Sequence, residues 1–159
     1  MLHPAAAHFA IALPIISLVL GLAYIYKPSE LMSKLSTRFM VFASLFLIAA
    51  FFSGKADAAL AFESLSSEGQ NLLKEHKELG LYLVLSMALA AIVKFLGCYK
   101  KFFKLEMLAV LMVALISAGI LYQGKLGGEV TYTHGANVKN HADGLTCIED
   151  PEFYLDMKE

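Results

Sequence analysis

Long apolar stretches alternate with short polar connections along most of the chain. Four stretches are prominent, and they cover about residues 4–26, 37–60, 78–97 and 102–124. Because about 20 helical residues cross a bilayer core of about 30 Å, each stretch is long enough to form a transmembrane helix. The second stretch continues through SGKADAALAF, so we expect one long helix that leaves the membrane near Lys55.

The composition supports a membrane protein and excludes an ordinary soluble domain. Hydrophobic residues make up 58% of the chain and charged residues 17%, with a mean hydropathy of +0.62. We therefore predict an all-α fold, an up-down-up-down transmembrane four-helix bundle with a short periplasmic C-terminal extension. The bundle domain covers residues 1–138, and residues 139–159 form a polar tail. Lipid is the expected surrounding, and no feature indicates a nucleic-acid partner.

The basic residues predict the orientation of the bundle, because Lys and Arg near span ends remain on the cytoplasmic side. The first and third connections are short, yet they carry most of the basic residues near the spans. We therefore expect both termini to be periplasmic, in the inner membrane of a bacterium. The basic residues of these two connections are Lys27, Lys34, Arg38, Lys94, Lys100, Lys101 and Lys104.

Histidine is distributed unevenly, since all five histidines fall on the predicted periplasmic side. His3 and His8 begin the first span, His76 precedes the third, and His134 follows the fourth. His8 lies about one turn inside the apolar stretch, where an unpaired ring is costly and an ionisable group is a functional candidate. The alternative is that these are interfacial side chains without a special role. His141 is expected to be a solvated tail residue.

The segment after the fourth span reads GKLGGEVTYTHGAN. We expect Gly127 and Gly128 to end the helix, and the following EVTY has a strand-like alternation. His134 and Gly135 would then form a turn that folds back across the mouth of the bundle. The alternative is an interfacial anchor built on Tyr132.

Several short motifs together resemble a known family. They are His3-Pro4, His8-Phe9, Ser53-Gly54 with Asp57 nearby, His76, and GGEVTYTHG. This combination is similar to a bacterial family of small four-helix integral membrane proteins catalogued as a domain of unknown function. The resemblance covers about residues 2–138 and departs from the family pattern at Ala10 and Ser53. It implies a shared site at these positions without implying a reaction.

Four histidines at one end of a membrane bundle suit one or two b-type haems, each held by two axial imidazoles. In a helix His3 and His8 lie about 140° apart, so they would serve different sites. One possible pairing joins His8 to His76 and His3 to His134. Covalent haem attachment is excluded because no Cys-x-x-Cys-His motif is present. Asp57, which can fix a histidine tautomer, and Tyr132 are expected beside the ligands.

The hypothesis from sequence is therefore electron transfer through haem b, with quinol or a periplasmic carrier as the partner, rather than a stand-alone enzyme. Two alternatives remain open. The same four histidines could hold copper or zinc in a metal-binding or trafficking protein. The chain could also be a structural subunit of a larger membrane redox complex, and a homo-oligomer is compatible with each hypothesis.

Overall fold

The computed structural model describes residues 3–136. Four long helices account for nearly all of these residues, and a short 3-10 turn at Phe62–Ser64 follows the second helix. The all-α fold class is confirmed, and the second helix is continuous as expected. The helices are α1 (His3–Tyr26), α2 (Glu30–Ala61), α3 (Ser67–Tyr99) and α4 (Phe103–Tyr132).

Serine hydroxyls begin two of the helices. Ser29 Oγ accepts a hydrogen bond from Met32 N at 3.3 Å at the start of α2. Ser66 Oγ accepts one from Gly69 N at 3.2 Å at the start of α3. Each hydroxyl satisfies an amide that has no partner within the helix. α3 extends well beyond the apolar stretch that predicted it.

The helices pack in sequence around the bundle, so that α1 and α3 lie on opposite corners. α1 packs closely on α2 and α3 on α4, whereas the α2–α3 and α1–α4 contacts are less extensive. We call the end that carries His3, His76 and His134 the histidine end. The opposite end, which carries Arg38 and Lys101 with the two short turns between helices, is called the basic end.

Small and flexible side chains fill the bundle core, while large apolar side chains point outward. Met40, Met87 and Val113 are completely buried, together with alanines from three helices. In contrast, Val19 and Leu115 are more than half exposed. All four helices are long and apolar enough to cross a membrane. The outward apolar surface is therefore the surface that lipid would cover.

The expected break at Gly127-Gly128 and the strand-like EVTY segment are wrong. α4 continues through both glycines to Tyr132, and no strand occurs within residues 3–136. A continuous helix satisfies the backbone amides of this segment, and Val130 packs into a small apolar cluster with Leu65 and Leu73. The expected turn is present, since Gly135 has a positive φ of 71°. The predicted tail, with His141, lies outside the described residues.

Candidate functional site

His3 lies in the first turn of α1 and points toward α2. Its Nδ1 is 2.9 Å from the Ala50 carbonyl oxygen and 3.4 Å from Ser53 Oγ. The ring lies against Gly54, where a Cβ would come within 2.7 Å of His3 Cε1. Because a carbonyl can only accept, Nδ1 carries a proton, and in the neutral ring Nε2 keeps its lone pair. This arrangement is typical of an imidazole prepared to bind a metal through Nε2.

His76 is half-buried on α3 and faces α4. Gln123 Nε2 donates to the His76 carbonyl at 2.8 Å and lies 3.3 Å from the ring Nε2. Two buried atoms, His76 Nδ1 and Gln123 Oε1, have no hydrogen-bond partner within residues 3–136. A buried polar atom without a partner costs about 1–3 kcal/mol, so such atoms need a structural or functional explanation.

His3 and His76 lie at the same end of the bundle, on helices at opposite corners. Each ring also rests on a glycine of its neighbouring helix, since a Cβ at Gly127 would lie 3.0 Å from His76 Cε1. The histidine end therefore contains two half-buried imidazoles, each packed against a neighbouring helix.

The other residues expected at this site lie apart from that pair. His8 is exposed, and its Nδ1 donates to the Pro4 carbonyl of its own helix at 2.6 Å. His134 is half-buried and packs on Gly69, about two turns of α3 away from His76. Tyr132 is 89% exposed, and Asp57 makes no hydrogen bond to a histidine in the described part of the chain.

A bare metal site of three or more ligands is not formed in the described part of the chain. Within residues 3–136, no group of three His, Cys, Asp or Glu side chains is arranged to hold a metal ion. Two imidazoles are fewer than the three or four protein ligands typical of zinc sites.

Comparison with known proteins agrees with this architecture. Residues 1–140 match the family described as Predicted membrane protein (DUF2231). The chain belongs to this family. The match includes all four helices and both histidines of the pair, and it confirms the resemblance drawn from the motifs. No curated protein matches the chain, and no solved structure does, so membership in DUF2231 assigns a membrane protein without a reaction.

A second polar site lies inside the basic end of this DUF2231 protein, and the sequence analysis missed it. Glu106 of α4 is 2% exposed and is held by three side chains. Tyr24 Oη donates to Glu106 Oε1 at 2.7 Å, and Ser33 Oγ donates to Oε2 at 2.6 Å. Lys94 Nζ donates to the same Oε2. The four helices thus contribute one residue each to this network.

Lys94 is the residue whose role the sequence analysis misassigned. It was grouped with the basic residues that set the topology, but it is completely buried on α3. Its Nζ lies 4.3 Å above the centre of the Tyr24 ring, a cation–π contact in addition to the ion pair. Lys94 is a single charge within the apolar run AAIVKFLG, and that pattern was the available signal for a buried role.

Proposed function

We propose that the protein is a membrane-bound electron-transfer protein that holds a b-type haem between His3 and His76. The observation that carries the proposal is the hydrogen bond from His3 Nδ1 to the Ala50 carbonyl, because it leaves Nε2 of an inward-facing imidazole available to iron. His76 supplies the second imidazole from the opposite corner of the bundle. Two axial histidines on facing helices are a common way to hold haem in a bundle.

The donor chemistry of the pair fits a haem. His76 can bind through Nε2 once the long 3.3 Å contact from Gln123 is released, while Gln123 keeps its bond to the His76 carbonyl. Gly54 and Gly127 have no side chains, and the rings of His3 and His76 occupy the space that a Cβ at these positions would fill. His3 is the ring that we expect to move more readily on binding, because it lies in the first turn of its helix.

A bound haem would supply a one-electron ferric–ferrous couple. Two histidine ligands leave no open position on the iron, which favours electron relay over oxygen chemistry. We further propose that the histidine end faces the periplasm of a bacterial inner membrane, and that quinol or a periplasmic carrier exchanges electrons there. The pairings of His8 with His76 and of His3 with His134 remain predictions. The exposure of His8 and its bond within its own helix favour the pair proposed here.

The decisive test is an absorption spectrum of the protein purified in detergent after expression with ample haem. We expect a Soret band in the oxidised protein and a sharp α band after reduction with dithionite. His3→Ala and His76→Ala should each remove or strongly shift these bands. His8→Ala is the matched control, because His8 is exposed and bonds only within its own helix. It should leave the spectrum unchanged.

Other outcomes would overturn the proposal in different ways. Absence of both bands in the wild-type protein would exclude haem, and stoichiometric copper or zinc by elemental analysis would then support the metal-binding alternative. Loss of the bands in His8→Ala but not in His3→Ala would assign the axial ligand to His8. Size-exclusion elution at the wild-type volume must accompany each variant, so that loss of haem is not confused with loss of fold.

The proposed orientation has its own test, because the chain contains two cysteines. Cys98 lies at the basic end of α3, and Cys147 lies in the tail outside the described residues. A Cys98→Ser variant leaves only Cys147. If the termini are periplasmic, a membrane-impermeant maleimide should label Cys147 in intact spheroplasts. Labelling only after lysis would reverse the orientation.

A further inference from the structure

A large cleft opens at the basic end between α2 and α3. Its volume is about 810 Å³, and its lining includes Arg38, Phe42, Phe95 and Lys101. These two helices pack less extensively on each other than the α1–α2 and α3–α4 pairs do. The cleft therefore follows a gap in the bundle wall that is open to the surrounding bilayer.

Two helical stripes form the walls of the cleft. On α2 the stripe runs from Lys34 through Arg38 to Phe42, residues that are four apart and so share one face. On α3 the facing stripe contains Phe95, which is 56% exposed, and Tyr99. Along α2 the cleft is basic nearest the end of the bundle and becomes apolar about one turn deeper, since Phe42 lies about 6 Å beyond Arg38. The cleft is therefore amphipathic along its length.

The charges of the lining leave a positive excess. Lys34 pairs with Glu30 at 2.6 Å, and Glu106 is already held by Lys94 in the buried network. Arg38 and Lys101 form no ion pair with a carboxylate within residues 3–136. The mouth of the cleft thus presents a guanidinium and an ammonium to whatever occupies it. An anionic group is the complementary partner.

Lys101 adds a second, independent observation. It is the only non-glycine residue in the described chain with a positive φ, at 52°. The bonds from Phe102 N to the Gly97 carbonyl at 2.8 Å and from Lys101 N to the Cys98 carbonyl at 3.3 Å form a Schellman motif, whose left-handed position normally carries glycine. The turn itself does not require a lysine here. A role for the side chain in the cleft explains why one is present.

From these observations we propose that the cleft binds an anionic phospholipid. Arg38 and Lys101 bind the phosphate-bearing head group, and the acyl chain lies along Val41, Phe42 and Phe95. A free anion would use only the mouth of the cleft and leave this apolar wall exposed. A neutral quinone would leave the charges of Arg38 and Lys101 without a counter-charge. The proposal does not depend on the proposed haem.

The absence of tryptophan from the chain allows a direct test with the full-length protein. Phe95→Trp places a unique fluorophore in the cleft, and Leu115→Trp places one on α4 at a position that is 70% exposed and outside the cleft lining. Each variant is reconstituted into phosphatidylcholine vesicles that contain increasing fractions of brominated phosphatidylglycerol. A parallel series uses brominated phosphatidylcholine. Quenching of tryptophan by bromine reports which lipid is in contact.

At the Phe95→Trp reporter we expect the relative affinity for phosphatidylglycerol over phosphatidylcholine to be at least about fivefold for each engaged charge. At the Leu115→Trp reporter we expect the two lipids to quench almost equally. Adding Arg38→Gln or Lys101→Gly should reduce the preference at Phe95→Trp by about fivefold. Glycine suits the left-handed turn, so Lys101→Gly removes the charge without disturbing the fold. Lys104→Gln is the matched control, since Lys104 is at the same end but faces a groove between α1 and α4.

Three results would overturn the proposal. One is an equal lipid preference at the two reporters, which would indicate ordinary bilayer contact. Another is an equal effect of Lys104→Gln and Lys101→Gly, which would indicate general attraction of the basic end to anionic membrane. The third is relief of the quenching by millimolar inorganic phosphate, which would assign the cleft to a free anion.

Discussion

Both ends of the bundle contain buried polar side chains, but the hydrogen bonding of these side chains differs between the two ends. At the basic end the Glu106 carboxylate receives bonds from Tyr24, Ser33 and Lys94. At the histidine end His76 Nδ1 and Gln123 Oε1 are buried without a partner in the described chain. A satisfied network stabilises one arrangement of the helices, whereas unsatisfied groups retain the capacity to bind something else. We therefore expect the Glu106 network to contribute more to stability than the polar groups around His76 do.

Removal of the buried carboxylate should have the largest effect. Glu106→Ala leaves the Lys94 ammonium buried without its ion-pair partner, and we expect the free energy of unfolding to fall by about 3–5 kcal/mol. Unfolding in a mixed-micelle SDS titration would measure the change. Replacing both partners, as Lys94→Met with Glu106→Met, should recover most of the loss because no charge remains buried. A small effect of Glu106→Ala alone would contradict the structural role of the network.

A methyl group added at Gly97 should have the next largest effect. The new Cβ would lie 2.9 Å from the Glu106 backbone nitrogen and 2.7 Å from Glu106 Cγ, so the turn between α3 and α4 would have to shift. We expect the free energy of unfolding, measured by the same SDS titration, to fall by about 1–3 kcal/mol. Gly54→Ala is the counterpart at the histidine end, where the new methyl would meet only the His3 ring. It should cost less than Gly97→Ala, and an equal cost would remove the contrast between the ends.

Replacing Gln123 should have a small effect on the stability of the protein without ligand. Gln123→Met loses the bond to the His76 carbonyl but also removes an unpartnered oxygen, so the net change should stay within about 1 kcal/mol. The matched change at the basic end is Ser33→Ala, which removes a donor to a carboxylate and should cost about 1.5–3 kcal/mol. A larger loss for Gln123→Met would show that the histidine end is also held by its polar contacts.

The smallest expected effect is a gain. Lys101→Gly relieves a left-handed backbone that costs a non-glycine residue about 1–2 kcal/mol, and part of that gain is offset by the greater freedom of glycine in the unfolded chain. We expect the unfolding free energy to rise by up to about 1 kcal/mol. Lys100→Gly is the control, because Lys100 has an ordinary φ of −82° and should lose stability. Loss of stability in Lys101→Gly would indicate that the lysine itself holds the turn.

The number and type of the elements could be predicted from the apolar stretches alone. Comparison of the length of each apolar stretch with the thickness of a bilayer was sufficient to predict four spans. The continuation of α4 through Gly127 and Gly128 was not predicted. Glycine weakens a helix only modestly, and the close contact of His76 with Gly127 gives that glycine a packing role that is invisible in the sequence.

The candidate site was predicted in part. Histidines at one end of the bundle followed from topology, but the selection of His3 and His76 required knowledge of which face of each helix points inward. His8 lies five residues after His3 and is exposed, because a helix rotates by about 100° per residue. The basic-end network was missed because charged residues near the ends of spans are also expected on the surface, where they set the orientation in the membrane. In the linear sequence Lys94 and Glu106 fit that description as well as they fit a buried pair. Only their burial distinguishes a buried pair from surface charges.

The sequence by itself determined that this protein is a four-helix membrane bundle with its histidines at one end, because hydrophobic length and charge asymmetry act locally along the chain. Tertiary structure alone decided which polar residues meet. Side-chain partners depend on helix rotation and on close approach at glycines, and residues 82 positions apart such as Tyr24 and Glu106 form a hydrogen bond only when the helices pack.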